Sequence, residues 1–155
     1  MRKPILVGYD PESADRAPVQ FGIAAARFTG AQLIIASAYT DSAVIGQMGH
    51  GHMHEDLGGG ATEALSHIRT ELSRDHHVKA ECIGLPGNSA PSVLHRAAEE
   101  RDAGLLVVGC RRGDHGGLLR PGSTAERLMH GAPCPLAIVP GGWSAGGGLR
   151  TLGVA

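Results

Sequence analysis

Short apolar runs bounded by turn-forming residues recur along the chain. Several of these runs are continuous rather than alternating, which is typical of strands that are covered on both faces of a sheet. We predict five strands, at residues 5–9, 33–38, 78–83, 105–109 and 136–139.

Between these runs, apolar residues recur at spacings of three and four and predict four helices. The first runs from Ala17 to the apolar Phe28, with Pro18 in its first turn and Gly30 as its stop. The others are expected at residues 61–72, from about 91 to 98 after Asn88 and Ser89, and from 123 to 129.

Strand and helix therefore alternate through the chain, which predicts right-handed crossovers and an α/β fold with three α/β/α layers around a parallel sheet. In open sheets of this kind, ligands bind beyond the carboxyl ends of the strands, where the strand order reverses. The segments just after Tyr9, Ala38 and Gly109 are therefore the places to look for a site.

Composition narrows the class of protein. The chain has 155 residues, which suits one domain, here assigned to residues 1–140, and its formal net charge of -1 gives no positive field for nucleic acid. We find no signal segment and no membrane-spanning stretch, and we expect a cytoplasmic protein. Cys82, Cys110 and Cys134 are odd in number and lack a Cys-x-x-Cys pair, so we interpret them as reduced thiols.

A glycine-rich segment follows the fourth strand, from Gly109 to the start of the fourth helix. Glycines allow backbone amides to approach an anion, and Gly122-Ser123 opens a helix whose N–H groups and dipole favour negative charge. Ser123 and Glu126 also match a Ser-x-x-Glu capping box. The segment is either a phosphate receptor or a glycine-rich turn before a capped helix.

Here the chain resembles the universal stress protein family, whose nucleotide-binding members carry Gly-x-x-Gly, nine residues, then Gly-Ser or Gly-Thr. Gly109 and Gly122-Ser123 stand at the matching separation. Further matches lie at residues 5–10, 27–31, 87–89, 106–109 and 132–136. The resemblance covers residues 4–140, apart from a variable Gly/His-rich region at 40–60.

The resemblance implies a flavodoxin-like (Rossmann-like) sheet of five parallel strands in the order 3-2-1-4-5, a homodimer, and bound ATP or a related adenine nucleotide, with Mg²⁺ as an accompanying ion. Carried over residue by residue, the resemblance assigns the adenosine end of the nucleotide to the Tyr9-Asp10 turn and the adenine to the backbone of Ala38. It assigns the floor of the site to Val108 and Gly109. The phosphate oxygens are assigned to Gly122, Ser123 and Thr124.

One position departs from the family pattern. The family's second glycine falls on Arg112, with a glycine only at the next residue, Gly113. The arginine side chain either blocks close backbone approach or grips phosphate directly with its guanidinium. Arg111 adds positive charge beside it, and a solvated loop face is the alternative for these arginines.

Three histidines alternate in the variable region, at His50, His52 and His54. Neutral imidazoles at this spacing can chelate zinc, copper or nickel. A flexible loop without further contacts to orient the ligating imidazoles gives only incidental metal affinity, and we favour that interpretation.

Catalytic motifs are scarce. The first strand is not followed by a dinucleotide fingerprint, and the sequence contains no Gly-Lys-Ser or Gly-Lys-Thr, which disfavours a dehydrogenase and a P-loop NTPase. The leading interpretation is a nucleotide-binding regulatory stress protein without fast turnover. The alternatives are a dimeric interaction module that binds no nucleotide and a slow phosphohydrolase.

The last residues differ in composition from the rest. Residues 141–148 have the composition of a linker, and residues 149–155 resemble the first strand of another such domain. We hypothesise that the chain is the first half of a tandem protein, with a disordered tail as the alternative.

Overall fold

A buried sheet lies at the centre of the computed structural model, which describes residues 2–39, 59–73, 78–112 and 119–146. Its strands are β1 (Ile5–Gly8), β2 (Leu33–Tyr39), β3 (Ala80–Pro86), β4 (Leu105–Arg112), β5 (Leu119–Pro121) and β6 (Leu136–Pro140). The helices are α1 (Ala17–Thr29), α2 (Gly59–Ser73), α3 (Ala90–Glu100) and α4 (Ser123–Met129). All five predicted strands and all four predicted helices are present, with their ends shifted by a few residues.

The five long strands are parallel and lie in the order β3-β2-β1-β4-β6. Counting only the predicted strands, this is the expected order 3-2-1-4-5, so the fold prediction is confirmed. The order reverses between β1 and β4, because β2 and β3 extend from one edge of β1 while β4 and β6 extend from the other.

β5 was not predicted. It pairs antiparallel with the end of β4, from Cys110 opposite Pro121 to Arg112 opposite Leu119, so β4 runs beyond the predicted end at Gly109. The hairpin arm is three residues long and ends in proline. Such a segment is too short to show an alternating pattern, which is why the sequence indicated only a loop here.

Two apolar clusters flank the sheet and confirm the three layers. Alternate residues of β1 and β2 point to opposite faces, as the period of a strand requires. Val7 and Leu33 pack with α1 and α2 on one face, whereas Leu6 and Ile34 pack with α3 and α4 on the other. Leu, Ile, Val and Ala supply most of both clusters, as the low aromatic content predicts.

The observed end of α1 agrees with the stop signal in the sequence, whereas the observed start of α4 differs from the predicted cap. Gly30 closes α1 in the left-handed conformation, with φ of 68°. In α4, Gly122 is the N-cap and no side chain caps the helix, so the predicted capping box of Ser123 and Glu126 is wrong. Ser123 is the first helical residue, one position too late for its hydroxyl to cap.

Phe28 was expected on the buried face of α1 and is instead 48% exposed. The sheet-facing side of α1 centres on Gly22, which packs against Val7. Phe28 is six residues further along, which is about 120° around the helix from that direction. The side chain therefore points away from the sheet.

The beginning of the predicted linker contacts α1. The ring of Trp143 meets that of Phe21 edge to face, with 5.3 Å between centroids. The Gly142 N–H donates to Oδ1 of Asp15 over 3.2 Å. Residues 149–155 lie outside the described residues, so the proposed strand of a second domain stays a prediction.

Within the part of the chain that the structure describes, no helix has both the length and the apolar character needed to cross a bilayer.

The close contact between α1 and β1 generates a stability prediction. A Cβ added to Gly22 would lie 2.4 Å from Cγ2 of Val7 and 3.1 Å from Cδ1 of Leu33. Overpacking of this kind costs about 1–3 kcal/mol, and the helix propensity of alanine returns about 1 kcal/mol. We expect Gly22→Ala to lower the free energy of unfolding by up to about 2 kcal/mol in urea denaturation.

Gly131→Ala is the matched control, because a Cβ there meets nothing within 4 Å. Equal stability of the two variants would show that α1 does not depend on the bare backbone of Gly22.

Candidate functional site

A cavity of about 740 Å³ opens at the carboxyl ends of β1, β2 and β4. It lies where the strand order reverses, which is the expected location of a ligand in an open parallel sheet. Many of the sequence-predicted residues line this one cavity: Tyr9, Asp10, Ala38, Val108, Gly109, Gly122, Ser123 and Thr124.

The other predicted residues have different placements. Arg111 and Arg112 form the last two residues of β4, opposite Arg120 and Leu119 of β5. Gly113 lies outside the described residues, as do His50, His52 and His54. The role of Arg112 toward phosphate therefore stays a prediction.

Two glycines under the cavity allow helices to pack closely on the sheet. A Cβ on Gly8 would lie 2.8 Å from Cδ1 of Leu94 in α3, and one on Gly109 would lie 3.1 Å from Cγ of Pro18 in α1. The family resemblance implies a ligand contact for Gly109. The geometry also gives this glycine a packing role that needs no ligand.

Carboxylates line the side of the cavity formed by the β1–α1 loop. Oδ1 of Asp10 accepts the Glu12 N–H at 3.0 Å, and the Asp10 carbonyl accepts the Ser13 N–H at 3.1 Å. These bonds hold the exposed Asp10 carboxylate at the end of β1. Glu12 and Asp15 line the same side, so this wall is acidic.

Asp15 connects the cavity to two other segments. Its Oδ1 accepts the Ala17 N–H at 3.0 Å as well as the Gly142 N–H at 3.2 Å. The first bond satisfies a backbone donor at the start of α1, and the second holds the chain that follows β6. Asp15 thus has a clear structural role, in addition to its place in the cavity wall.

Hydrogen-bond donors line the cavity where α4 begins, at Gly122, Ser123 and Thr124. The backbone N–H groups in the first turn of a helix have no partner within the helix. Because the Ser123 hydroxyl caps nothing, it adds a side-chain donor there. α4 has only seven residues, so the local donors matter more than a helix dipole.

The β2 side of the cavity is mainly apolar, with Ala36, Ala38 and Tyr39. Tyr39 was not predicted as a site residue. It directly follows Ala38 at the end of β2, and it is one of only two tyrosines in the sequence. Both tyrosines, Tyr9 and Tyr39, line the cavity, and this concentration of a rare residue type was a signal that could have identified Tyr39.

Cys82, Cys110 and Cys134, all among the described residues, form no disulfide with one another. Cys110 is buried and lines the cavity. Burial raises the pKa of the Cys82 thiol, an effect that the nearby Arg69 guanidinium opposes in part, and burial also raises the pKa of Cys134. Both groups are therefore neutral thiols at pH 7. Across residues 2–39, 59–73, 78–112 and 119–146, we find no group of three metal-ligating side chains.

Together, the strand order and the cavity define a three-layer, flavodoxin-like domain with a cavity at its topological switch point. The chain belongs to the universal stress protein family, whose model matches residues 1–140.

Individual relatives agree with this assignment. A universal stress protein of Mycolicibacterium smegmatis is 32% identical over 140 residues, which cover 90% of this chain and 99% of the relative. The universal stress protein from Archaeoglobus fulgidus in complex with dAMP superposes with a TM-score of 0.66 and 22% identity, over 89% of this chain and 98% of that one.

An Arabidopsis thaliana family protein with AMP bound superposes with a TM-score of 0.62 and 14% identity, over 90% of this chain and 92% of that one. At these identities the solved structures support the fold.

Proposed function

We propose that this chain binds ATP or a related adenine nucleotide in the cavity at the ends of β1, β2 and β4, and that it acts as a regulatory protein of the stress response. The observation that carries the proposal is the division of the cavity into an acidic side at Asp10 and a donor side at Gly122, Ser123 and Thr124. Family members solved with dAMP and with AMP support an adenine nucleotide as the ligand.

The charge distribution around the cavity favours one orientation of the nucleotide. Phosphates would lie at Ser123 and Thr124, where donors face them, and ribose hydroxyls would donate to the carboxylate of Asp10. The reverse orientation would place phosphates against three carboxylates, which repel them. The base then falls on the β2 side, beside Ala38. A volume of about 740 Å³ lies within the usual range for small-molecule sites.

The same arrangement argues against fast hydrolysis. The carboxylates that could act as general bases lie on the ribose side, away from the proposed phosphate position, and a base must be within hydrogen-bond reach of the attacking water. Mg²⁺ would enter with the phosphates of ATP, since the described residues offer no group of three ligands of their own. We therefore propose sensing or storage of nucleotide rather than turnover.

Nucleotide binding can be tested directly. We expect adenine nucleotide in the supernatant of the denatured protein, and binding of ATP in calorimetry. Because hydrogen bonds to charged groups contribute about 1.5–3 kcal/mol each, replacing both Ser123 and Thr124 by alanine should weaken ATP roughly ten-fold or more while adenosine binds as before. Ser144→Ala, at an exposed position after β6, is the matched control.

A protein without co-purified nucleotide and without binding heat would contradict this proposal. If Arg112→Gly then restored binding, the arginine would be the obstacle, and the chain would act as an interaction module that binds no nucleotide. If the parent protein binds ATP and Arg112→Ala abolishes binding, the guanidinium of Arg112 binds phosphate directly.

We further propose that the chain forms a homodimer through the edge of β6 that no described strand covers. Four of the five β6 residues are partly exposed, whereas three of the four in β1 are buried. The Leu106 N–H donates to the Pro135 carbonyl, so in this parallel register residues 135, 137 and 139 bond to β4. Leu136 and Ile138 therefore direct their N–H groups outward, where a second β6 can pair with them.

Light scattering coupled to gel filtration tests the dimer. Ile138→Pro removes an outward N–H and leaves the bonds to β4, so we expect it to convert dimer into monomer with the helical circular dichroism signal retained. Ala137→Pro is the comparison, since it removes a bond within the sheet and should lower the melting temperature instead. A wild-type protein that is monomeric at micromolar concentration would refute this mode of assembly.

A further inference from the structure

We propose that the strap, residues 141–146 after β6, holds the β1–α1 loop in the conformation that binds nucleotide, so that nucleotide binding and closure of the strap reinforce each other. The inference rests on the nucleotide-binding function proposed above and adds a means of regulating that site. Gly142 and Trp143 lie outside the cavity wall and are positioning residues, which act on the cavity through Asp15 and α1.

Two contacts fasten the strap to the start of α1. The Gly142 N–H donates to Oδ1 of Asp15, and the ring of Trp143 meets that of Phe21 edge to face. The centroid distance of 5.3 Å lies within the range that aromatic pairs prefer. Both rings are half-buried and pack against the apolar cluster on the α1 side of the sheet. The strap therefore lies along α1 and combines a polar contact with an apolar one.

A series of hydrogen bonds connects the strap to the end of β1. Asp15, which accepts the Gly142 N–H, donates its own N–H to Oγ of Ser13 over 3.2 Å. Ser13 in turn donates its N–H to the Asp10 carbonyl over 3.1 Å. Asp10, Ser13 and Asp15 all line the cavity. The strap is thus joined by consecutive bonds to the residue whose carboxylate we propose for the ribose.

The bond to Gly142 differs in kind from the other bonds of the β1–α1 loop. The Glu12 N–H donates to Asp10, and the Ala17 N–H donates to Asp15, each across two positions. The bond from Gly142 to Asp15 spans 127 positions. Local bonds fix the shape of a loop, whereas a bond to a distant segment also fixes its place on the sheet. A loop that is held in place before the ligand arrives costs less entropy to order on binding, which raises the affinity.

The coupling acts in both directions, because linkage between two binding events is reciprocal. A closed strap strengthens nucleotide binding, and bound nucleotide stabilises the closed strap by the same factor. A partner protein that competes for the ring of Trp143 would therefore release nucleotide. This gives the cavity a control point on the outer surface of α1.

The fluorescence of Trp143 reports the coupling directly, since Trp143 is the only tryptophan in the sequence. We expect ATP to change its emission in a saturable manner, with the same dissociation constant that calorimetry gives. ATP binding in calorimetry without any change in the emission of Trp143 would contradict the coupling.

Two variants at position 143 test the effect on affinity. We expect Trp143→Ala to weaken ATP and adenosine by the same factor, roughly five-fold or more, which is the usual range for coupled sites. Inorganic triphosphate, which would use the donors at the start of α4, should bind as before. Trp143→Phe keeps an aromatic ring against Phe21 and should recover most of the affinity. Ser144→Ala, at the exposed neighbouring position, is the control, and thermal melting checks that each variant is folded.

Gly142→Ala provides a second test that leaves both rings intact. Gly142 has a φ of 75°, a left-handed conformation that alanine disfavours, so the substitution should turn its N–H away from Asp15. We expect a several-fold loss of affinity for ATP and for adenosine. Gly131→Ala, with open space around its backbone, should change neither affinity.

The outcomes separate the two proposals. If the parent protein binds ATP and Trp143→Ala binds it equally well, the role of the strap is refuted and the nucleotide site stands. Equal weakening of ATP, adenosine and triphosphate by Trp143→Ala would mean a general structural role and would also overturn the inference. If the parent binds neither ATP nor adenosine, the nucleotide-binding function fails, and the inference with it.

Discussion

The structure depends on the burial of β1 between β2 and β4. Every side chain of Ile5, Leu6 and Val7 is covered, with α1 on one face and α3 on the other. Such a strand must find hydrogen bonds along both edges, and parallel neighbours supply them. Because all three strands run in the same direction, their carboxyl ends meet at one edge of the sheet, where the cavity opens.

The helices pack closely on the sheet because β1 must be buried on both faces. Gly22 brings α1 against Val7, and Gly8 and Gly109 leave room for Leu94 and Pro18 under the cavity floor. The β1–α1 loop and the start of α4 then carry polar groups that the sheet itself lacks. The β1–α1 loop contributes carboxylates, and the turn into α4 contributes donors. With an apolar sheet below and polar groups around the cavity, a chain with little net charge could orient the nucleotide that we propose as its ligand.

Much of the fold could be predicted from the sequence, because strands buried on both faces are continuous apolar runs and the helices have clear periodicity and stop signals. Gly30 is an example, since only its left-handed conformation ends α1 so sharply. β5 could not be predicted, because three residues paired with the end of β4 leave no periodic signal. The capping box failed because a motif match does not determine which residue stands first in the helix.

The residues of the candidate site could likewise be predicted only in part. Asp10, Ala38 and Gly109 follow from their positions at strand ends, which the topology brings to one edge. Tyr39 was not predicted because the sequence indicated that the second strand ends at Ala38, whereas β2 continues to Tyr39, which pairs with Pro86. Contacts between distant residues of this kind depend on strand register, which composition and periodicity do not specify.

The most direct test of the central claim is an amide chemical-shift titration of the isotopically labelled protein with AMP. The account predicts that the largest shifts fall on the three strand ends and on the start of α4, at Asp10, Tyr39, Cys110 and Ser123, and that they saturate together with a single dissociation constant. Shifts confined to α2, α3 or β6, or no saturable shifts at all, would contradict the assignment of this cavity as the nucleotide site.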